Sequence, residues 1–335
     1  MLNSKANTGR RKPFTIERLI VPEAMLTLGV IILMLIIAAF EPRFLRLDNI
    51  ISLFRATSVY MIMLTGMTFV IISSGIDLSI GAVSTFGSIF TARLLLDLNC
   101  PLLPAIVLGI FFGAMLGLVS GISVSYFALP AFMVTFAVGG VARGLNLFML
   151  GGKVYSGFSD SFMWLGRGLI GNLIPVPVII GLIVLVLGHL VLFRTRFGVY
   201  VRAIGGNQTA AQLTGINVEF YKTITYVLMG ALAAFAGIVL MARSGSIKAV
   251  TGEPMVLHTI ASVIIGGTSL HGGKGTIYGS FIGAFLFSIL TNVIVLTGIG
   301  SLWHQVIVGV VVILTIGGVS LKEGLRKKKT GESLF

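Results

Sequence analysis

Ten apolar runs, separated by short polar, glycine or proline breaks, constrain this chain more than any other feature. They cover approximately residues 22–40, 54–73, 79–96, 102–124, 129–150, 172–193, 223–243, 257–270, 275–296 and 301–319. Most are close to the roughly 20 residues that a helix needs to cross a bilayer. A soluble fold cannot bury so many: 56% of the 335 residues are hydrophobic and 10% are charged, where soluble domains carry about 25% charge. The expected fold is all-α, a polytopic transmembrane bundle of about ten spans. A cytosolic enzyme, a disordered chain and a secreted disulfide scaffold are excluded. The eighth run is short and reads as re-entrant or broken. The transmembrane unit is expected over 22–319, between an N-terminal segment at 1–21 and a basic tail at 320–335.

Catalytic and metal chemistry find no foothold. Cys100 is the single cysteine, so no intrachain disulfide or cysteine cluster can form. His189, His258, His271 and His304 are far apart, and no metal-ligand spacing or catalytic triad is visible. Gly272-Gly273-Lys274-Gly275-Thr276 lacks the spacing and the preceding strand of a phosphate loop. No catalytic residue, metal site or cofactor is therefore expected. The net charge of +13 reads as membrane topology rather than nucleic-acid binding. The first run ends at Glu41-Pro42 without a small-residue cleavage site, so it reads as a span and not a signal peptide. An even number of spans puts both termini on one side. Fifteen basic residues fall on that side or its loops and eight on the other, Arg143 lying within a span, which places both termini in the cytoplasm. Ten of the fifteen belong to the terminal segments.

The longest inner loop, about 194–222, has room for a helix of its own. Gly205-Gly206-Asn207 can stop one segment. Asn207 or Thr209 can cap a short helix over Ala210–Leu213, with Gly215 as its C-cap. Such a helix suits docking of a partner, or merely connects two spans. Two segments echo each other: at an offset of 192, Gly75, Leu78, Gly81, Gly87 and Ser88 fall on Gly267, Leu270, Gly273, Gly279 and Ser280. The offset is taken to cover about five spans, so the copies are expected to be an inverted internal repeat whose glycine breaks mark discontinuous helices; chance in a glycine-rich chain is the alternative. Gly109, Gly113, Gly117 and Gly121 recur every four residues as a packing seam. Asp77 reads as a helix cap, together with Ser79, or as a proton or cation site. Arg143 reads as a snorkelling side chain or one bonded to loop carbonyls. The poverty of buried acids argues for a transporter powered from outside the chain.

The strings GMTFVIISSGIDLSIGAV (66–83), RAIGGNQTAAQLTGINV (202–218) and IASVIIGGTSLHGGKGTIYGSFIGA (260–284) resemble the signature segments of the ribose-type sugar ABC importer permeases. Arg-Thr-Arg-Phe-Gly before the inner loop and Pro-Ala-Phe at 130–132 fit the same pattern, and the resemblance spans roughly 45–320. It implies a homodimeric subunit of the bacterial inner membrane that passes a monosaccharide. A separate cytoplasmic ABC ATPase subunit would dock on the inner loops. A periplasmic or lipid-anchored sugar-binding protein would deliver the sugar at the outer face. It also implies that 205–218 is a coupling helix, carried by Gly205, Gly206, Asn207, Ala211, Leu213, Gly215, Ile216 and Asn217, with Leu213 and Ile216 filling a groove of the ATPase. Thr65, Thr68, Phe132, Thr135, Phe136 and Asn146 are candidates to line the sugar pathway. Gly75, Asp77, Ser79, Gly266, Gly267, Gly272 and Gly273 form a structural or gating motif. The tail Arg326–Lys329 would hold anionic membrane lipid, at about 1 kcal/mol per basic residue. The competing reading is an ion-coupled secondary transporter, in which Asp77 carries the ion.

Overall fold

The computed structural model describes residues 22–298 and six further positions, Trp303, Val306, Gly309, Val310, Ile313 and Gly317. In chain order the helices are α1 (Pro22–Phe40), α2 (Leu47–Ile72), α3 (Ile80–Leu96), α4 (Leu102–Ser125), α5 (Ala131–Leu150), α6 (Asp160–Arg167), α7 (Val176–Arg194), α8 (Arg196–Gly206), α9 (Gln208–Leu213), α10 (Val218–Ser244), α11 (Met255–Ile265) and α12 (Ile277–Leu296). Two-residue strands make two small ribbons, β1 (Tyr155–Ser156) with β4 (Ser246–Ile247), and β2 (Leu169–Ile170) with β3 (Ile174–Pro175). Seven of the described helices, α1, α2, α4, α5, α7, α10 and α12, are long and apolar enough to cross a membrane. With the shorter α3 and α11 they account for the first nine predicted runs. The tenth run lies outside the described residues except at the six positions, which are helical; segments 1–21 and 320–335 lie outside them entirely.

Burial explains the layering. From Thr57 to Ile72, α2 is buried on nearly every side, as an all-round apolar helix must be. It packs against α10, which in turn covers α3 and α4. The predicted glycine seam is present. A Cβ on Gly113 would strike Ala234, one on Gly117 the carbonyl of Tyr226, and one on Gly121 would stand 2.8 Å from Thr223 O. Only a bare backbone lets α4 lie so close to α10, and close approach supplies the dispersion energy that holds helices together in lipid.

The bundle has two ends. One carries α8 and α9, and α1 starts there, with Thr276 Oγ1 donating to Glu23 Oε1 at 3.1 Å. The other carries α6 and the two ribbons. Two crossings between these ends are discontinuous. After α2, residues 73–79 run irregularly through the interior, with Ser73, Asp77 and Ser79 all buried, before α3 continues to the α6 end. There the Tyr155 hydroxyl bonds Asp97 at 2.5 Å. The second crossing leaves β4 and descends irregularly to Gly252, whose N–H donates to Thr85 Oγ1 at 2.9 Å. From that level α11 completes the passage, and beyond it Gly273 N donates to Ile72 O at 2.9 Å. The eighth predicted run is thus a broken crossing and not a re-entrant one. Irregular backbone survives at such depth because it is enclosed by protein.

The expected inversion of the echoed segments is incorrect. α2 and α11 run side by side in the same direction: Tyr60 stacks on His258 with ring centroids 4.0 Å apart, Thr259 Oγ1 donates to Met63 S at 3.6 Å, and beyond both helices Gly273 N donates to Ile72 O. Between them lie α3, α4, α5, α7 and α10, so α11 is the sixth crossing after α2, and an even step restores orientation. What the segments share is a helix ending, in register at an offset of 193, one residue away from the 192 of the sequence echo. Ser74 N to Ile71 O (3.0 Å) and Gly75 N to Val70 O (2.9 Å) repeat as Gly267 N to Ile264 O (3.0 Å) and Thr268 N to Val263 O (3.2 Å). Ser74 and Gly267 both take positive φ, 59° and 88°. The oppositely directed pair is α3 and α11, which diverge from the level where Gly81 meets Gly252.

Candidate functional site

The 194–222 loop folds as a chain of capped turns. Thr195 caps α8, accepting from Gly198 N at 3.4 Å. Asn207 stops α8 and caps α9, its Oδ1 accepting from Ala210 N at 2.9 Å. Gly215 supplies the left-handed residue after α9 (φ 83°), and Ile216 N returns to Ala211 O at 3.2 Å. Asn217 then caps α10 through Phe220 N at 2.9 Å. The short helix expected over Ala210–Leu213 is present as α9, capped by Asn207 and ended at Gly215; the wider 205–218 span is not one helix but the last residues of α8, all of α9 and the turn into α10. Ala211 is buried against Ile204 and Val218, and Ile216 joins this cluster because Gly215 reverses the chain. Leu213 points away and is 84% exposed. Of the two apolar residues expected to meet a partner, only Leu213 projects.

Behind α9 lies a three-way joint. A Cβ on Gly205 would overlap both the carbonyl of Ile72 and the N–H of Gly273, so the end of α8 touches the end of α2 and the 266–276 segment at once. Ser74 Oγ reaches Gly205 O at 3.2 Å and His271 O at 2.9 Å. Gly272 and Gly273, both with positive φ, press on Gly205 and Gly206 respectively. Gly266 backs onto Gly279 at the start of α12, and Gly75 onto the Tyr226 hydroxyl. Gly206 itself has open space around it. The glycines of three sequence-distant motifs thus gather at one end of the bundle and join the end of α8, next to α9, to the ending of α2 and to the 266–276 segment.

Asp77 and Ser79 divide their work differently from the expected shared cap. Asp77 Oδ1 accepts from Ser79 N (2.8 Å) and from Ser79 Oγ (2.6 Å). Ser79 occupies the cap position of α3 but makes no side-chain cap bond, because its hydroxyl is spent on Asp77. Asp77 closes a tight local turn instead.

The six pathway candidates are not one lining. Along α5, Thr135, Val138, Gly139, Ala142 and Asn146 face inward, while Phe132 and Phe136, one turn apart, face outward at 52% and 62% exposure. Helical periodicity puts the two sets on opposite faces. Thr135 Oγ1 accepts from Leu78 N at 3.1 Å, and Asn146 Nδ2 donates to Ala82 O at 3.1 Å. Thr65 packs against Gly188 of α7. Thr68 donates to Ser280 Oγ at 2.9 Å beside the α2 ending.

Arg143 neither snorkels nor meets loop carbonyls. It grips Glu253, the acid just before α11, with bonds of 2.6 and 2.9 Å. Glu253 lies 110 residues away, and no pattern in the sequence marks it. The same holds for a largely apolar cleft at the α6 half of the bundle, where α2, α10, α11 and α12 bring Tyr60, Arg243, His258 and Ser288 together. These side chains come from four helices, and no local spacing connects them.

The family described as branched-chain amino acid transport system / permease component matches residues 49–316. The chain is 36% identical over 321 residues to the ribose import permease protein RbsC of Escherichia coli (strain K12), covering 94% of this chain and 98% of that one. It is 38% identical over 291 residues to the ribose import permease protein RbsC of Bacillus subtilis (strain 168), covering 86% and 90%. To the D-allose transport system permease protein AlsC of Escherichia coli (strain K12) it is 34% identical over 290 residues, covering 85% and 88%. No solved structure matches. Signature strings, bundle architecture and relatives agree: this multi-pass membrane protein belongs to the ribose-type sugar ABC import permeases.

Proposed function

We propose that this chain is the membrane-spanning subunit of an importer that moves a monosaccharide, a ribose-like pentose or a hexose, across the bacterial inner membrane. The α8–α9 end faces the cytoplasm, as do both termini. A separate ABC ATPase docks on α9 through Leu213, a second copy of the chain completes the pathway, and a sugar-binding protein delivers substrate at the α6 end. The observation that supports this reading is the joint at Gly205, where the end of α8, next to α9, meets the ending of α2 and the 266–276 segment; in this reading a displacement of α9 reaches both. ATP-driven closure of the ATPase pair then selects between inward-open and outward-open arrangements, to the extent that it binds one better than the other. The relatives' names, for ribose and for D-allose, support the substrate class.

The test is purification from native membranes in mild detergent, with the retained proteins identified. An ATPase subunit is expected with the parent chain and with Leu98→Glu, a substitution at the exposed α6 end, and is lost with Leu213→Glu. No ATPase with the parent chain, or equal recovery with Leu213→Glu, overturns the assignment of α9.

A further inference from the structure

We propose that a pocket at the α8–α9 end of the bundle binds a small free oxyanion of the phosphate type. The pocket lies between the turn from α4 to α5, the start of α9 and the first turn of α10, and has a volume of about 260 Å³. Ser74 beyond the end of α2, Ala128 and Ala131 of the α4–α5 turn, Gln208 of α9, and Val218 and Lys222 of α10 line it. Val218 and Lys222 are four residues apart, so they share one face of α10. The lining is more polar than apolar, unlike that of the cleft at the α6 half.

The charges around the pocket favour an anion. Lys222 is part-buried, and among the described residues no carboxylate lies in ion-pair distance of it. Glu219, one turn earlier on α10, accepts instead from Gln212 Nε2 at 3.0 Å. A part-buried ammonium without a counter-charge gives up hydration and gains nothing in return, and an oxyanion in the pocket makes good that loss. No acid belongs to the lining. The 20-residue helix α5 also begins here. Pro130 stands at its cap position and makes no side-chain cap bond, so the N–H groups of Ala131 and Phe132 have no acceptor from the cap or the helix. The positive end of the α5 dipole thus lies on the same pocket as Lys222. Gln208 adds an uncharged amide at the exposed rim. Donors spread over three elements suit an ion with several oxygens better than a monatomic one.

Such an ion would join α5, α9 and α10. Ser74, also in the lining, belongs to the joint, its Oγ reaching Gly205 O at 3.2 Å. On the importer reading, occupancy favours whichever arrangement keeps these pieces together, so an anion on this side biases the transport cycle. The binding itself does not depend on that reading.

The test is thermal unfolding of the purified full chain, without any ATPase, in uncharged detergent with sodium phosphate or with sodium chloride at equal ionic strength. Phosphate should raise the midpoint above that in chloride, and the rise should saturate. Lys222→Gln should weaken the apparent phosphate affinity by about tenfold or more, the loss of one charged hydrogen bond, and Lys222→Arg should keep most of it. Gln208→Glu, which puts a carboxylate at the rim, carries the same test should Lys222→Gln fail to fold, and should also weaken phosphate. Lys274→Gln, exposed at the same end but outside the lining, should leave the phosphate effect intact. Equal midpoints in phosphate and chloride overturn the site, as does a phosphate effect kept in both Lys222→Gln and Gln208→Glu or lost equally in Lys274→Gln. Recovery of the ATPase is read separately. If Lys222→Gln lowers it while the parent shows no phosphate effect, Lys222 is a docking contact and the free-anion site is overturned. A phosphate effect without any ATPase removes only the importer reading.

Discussion

Gly205→Ala tests the joint with a single methyl group. The new Cβ would lie inside contact distance of two backbone atoms, Ile72 O and Gly273 N, and neither can turn away as a flexible side chain would. Overpacking of this kind costs about 1–3 kcal/mol. The bond from Gly273 N to Ile72 O, 2.9 Å long, is strained or broken as well, for about 0.5–1.5 kcal/mol. The expected cost is about 2–4 kcal/mol, partly offset by the roughly 1 kcal/mol that alanine gains over glycine in a helix. Gly206→Ala is the matched control. It adds the same methyl to the same helix, where nothing lies within 4 Å, so the helix-propensity gain cancels in the comparison. The assay is reversible denaturant unfolding of both variants in mixed micelles. Gly205→Ala should be less stable than Gly206→Ala by about 2–4 kcal/mol. A difference within about 0.5 kcal/mol, the usual scatter of neutral substitutions, would refute the joint as the contact that unites α8 with the broken segments.

Other features respond in their own ways. Arg143→Leu should destabilise by about 1 kcal/mol, because it leaves a part-buried Glu253 carboxylate unpaired. The double change Arg143→Leu with Glu253→Leu should recover most of that loss in the same unfolding assay; additive losses would mean that the pair is not the interaction that matters. Gly117→Ala should cost about 1–3 kcal/mol, since its Cβ meets the Tyr226 carbonyl, and an unchanged unfolding midpoint would contradict the seam. Asn207→Ala should lose about 1 kcal/mol of helix-cap stability, whereas Asn207→Asp should lose little; equal effects of the two would show that the cap bond to Ala210 is unimportant.

Features set by neighbours along the chain are legible in the sequence. The spans follow from runs of apolar residues. The cap at Asn207 and the left-handed Gly215 follow from short-range backbone chemistry, and the Gly109–Gly121 seam from a four-residue period on one helix. Features set by two distant segments are not legible in this way. Nothing near Arg143 points to Glu253, and nothing near Tyr60 points to Arg243 or Ser288, because helix order in the bundle decides which faces meet. The placement of the pathway candidates is not legible for a related reason: residue type alone groups Phe132 and Phe136 with Thr135, whereas the period of α5 puts them on opposite faces. The sense of the echo fails on a count of crossings, since α2 and α11 are six apart and not five. Asp77 and Ser79 do stand at a helix start, as their spacing suggests. Which of their oxygens accepts there is a matter of geometry that spacing does not resolve.

The most direct test of the account is uptake of a labelled monosaccharide into proteoliposomes that contain this chain and any ATPase subunit that co-purifies with it. Uptake that needs ATP, proceeds without any ion gradient, survives Asp77→Asn at a level set only by the amount of folded protein, and falls with Leu213→Glu is the predicted result. Uptake driven by a proton or sodium gradient in the absence of ATP, and abolished by Asp77→Asn in protein that remains folded, would contradict it and make Asp77 the coupling residue.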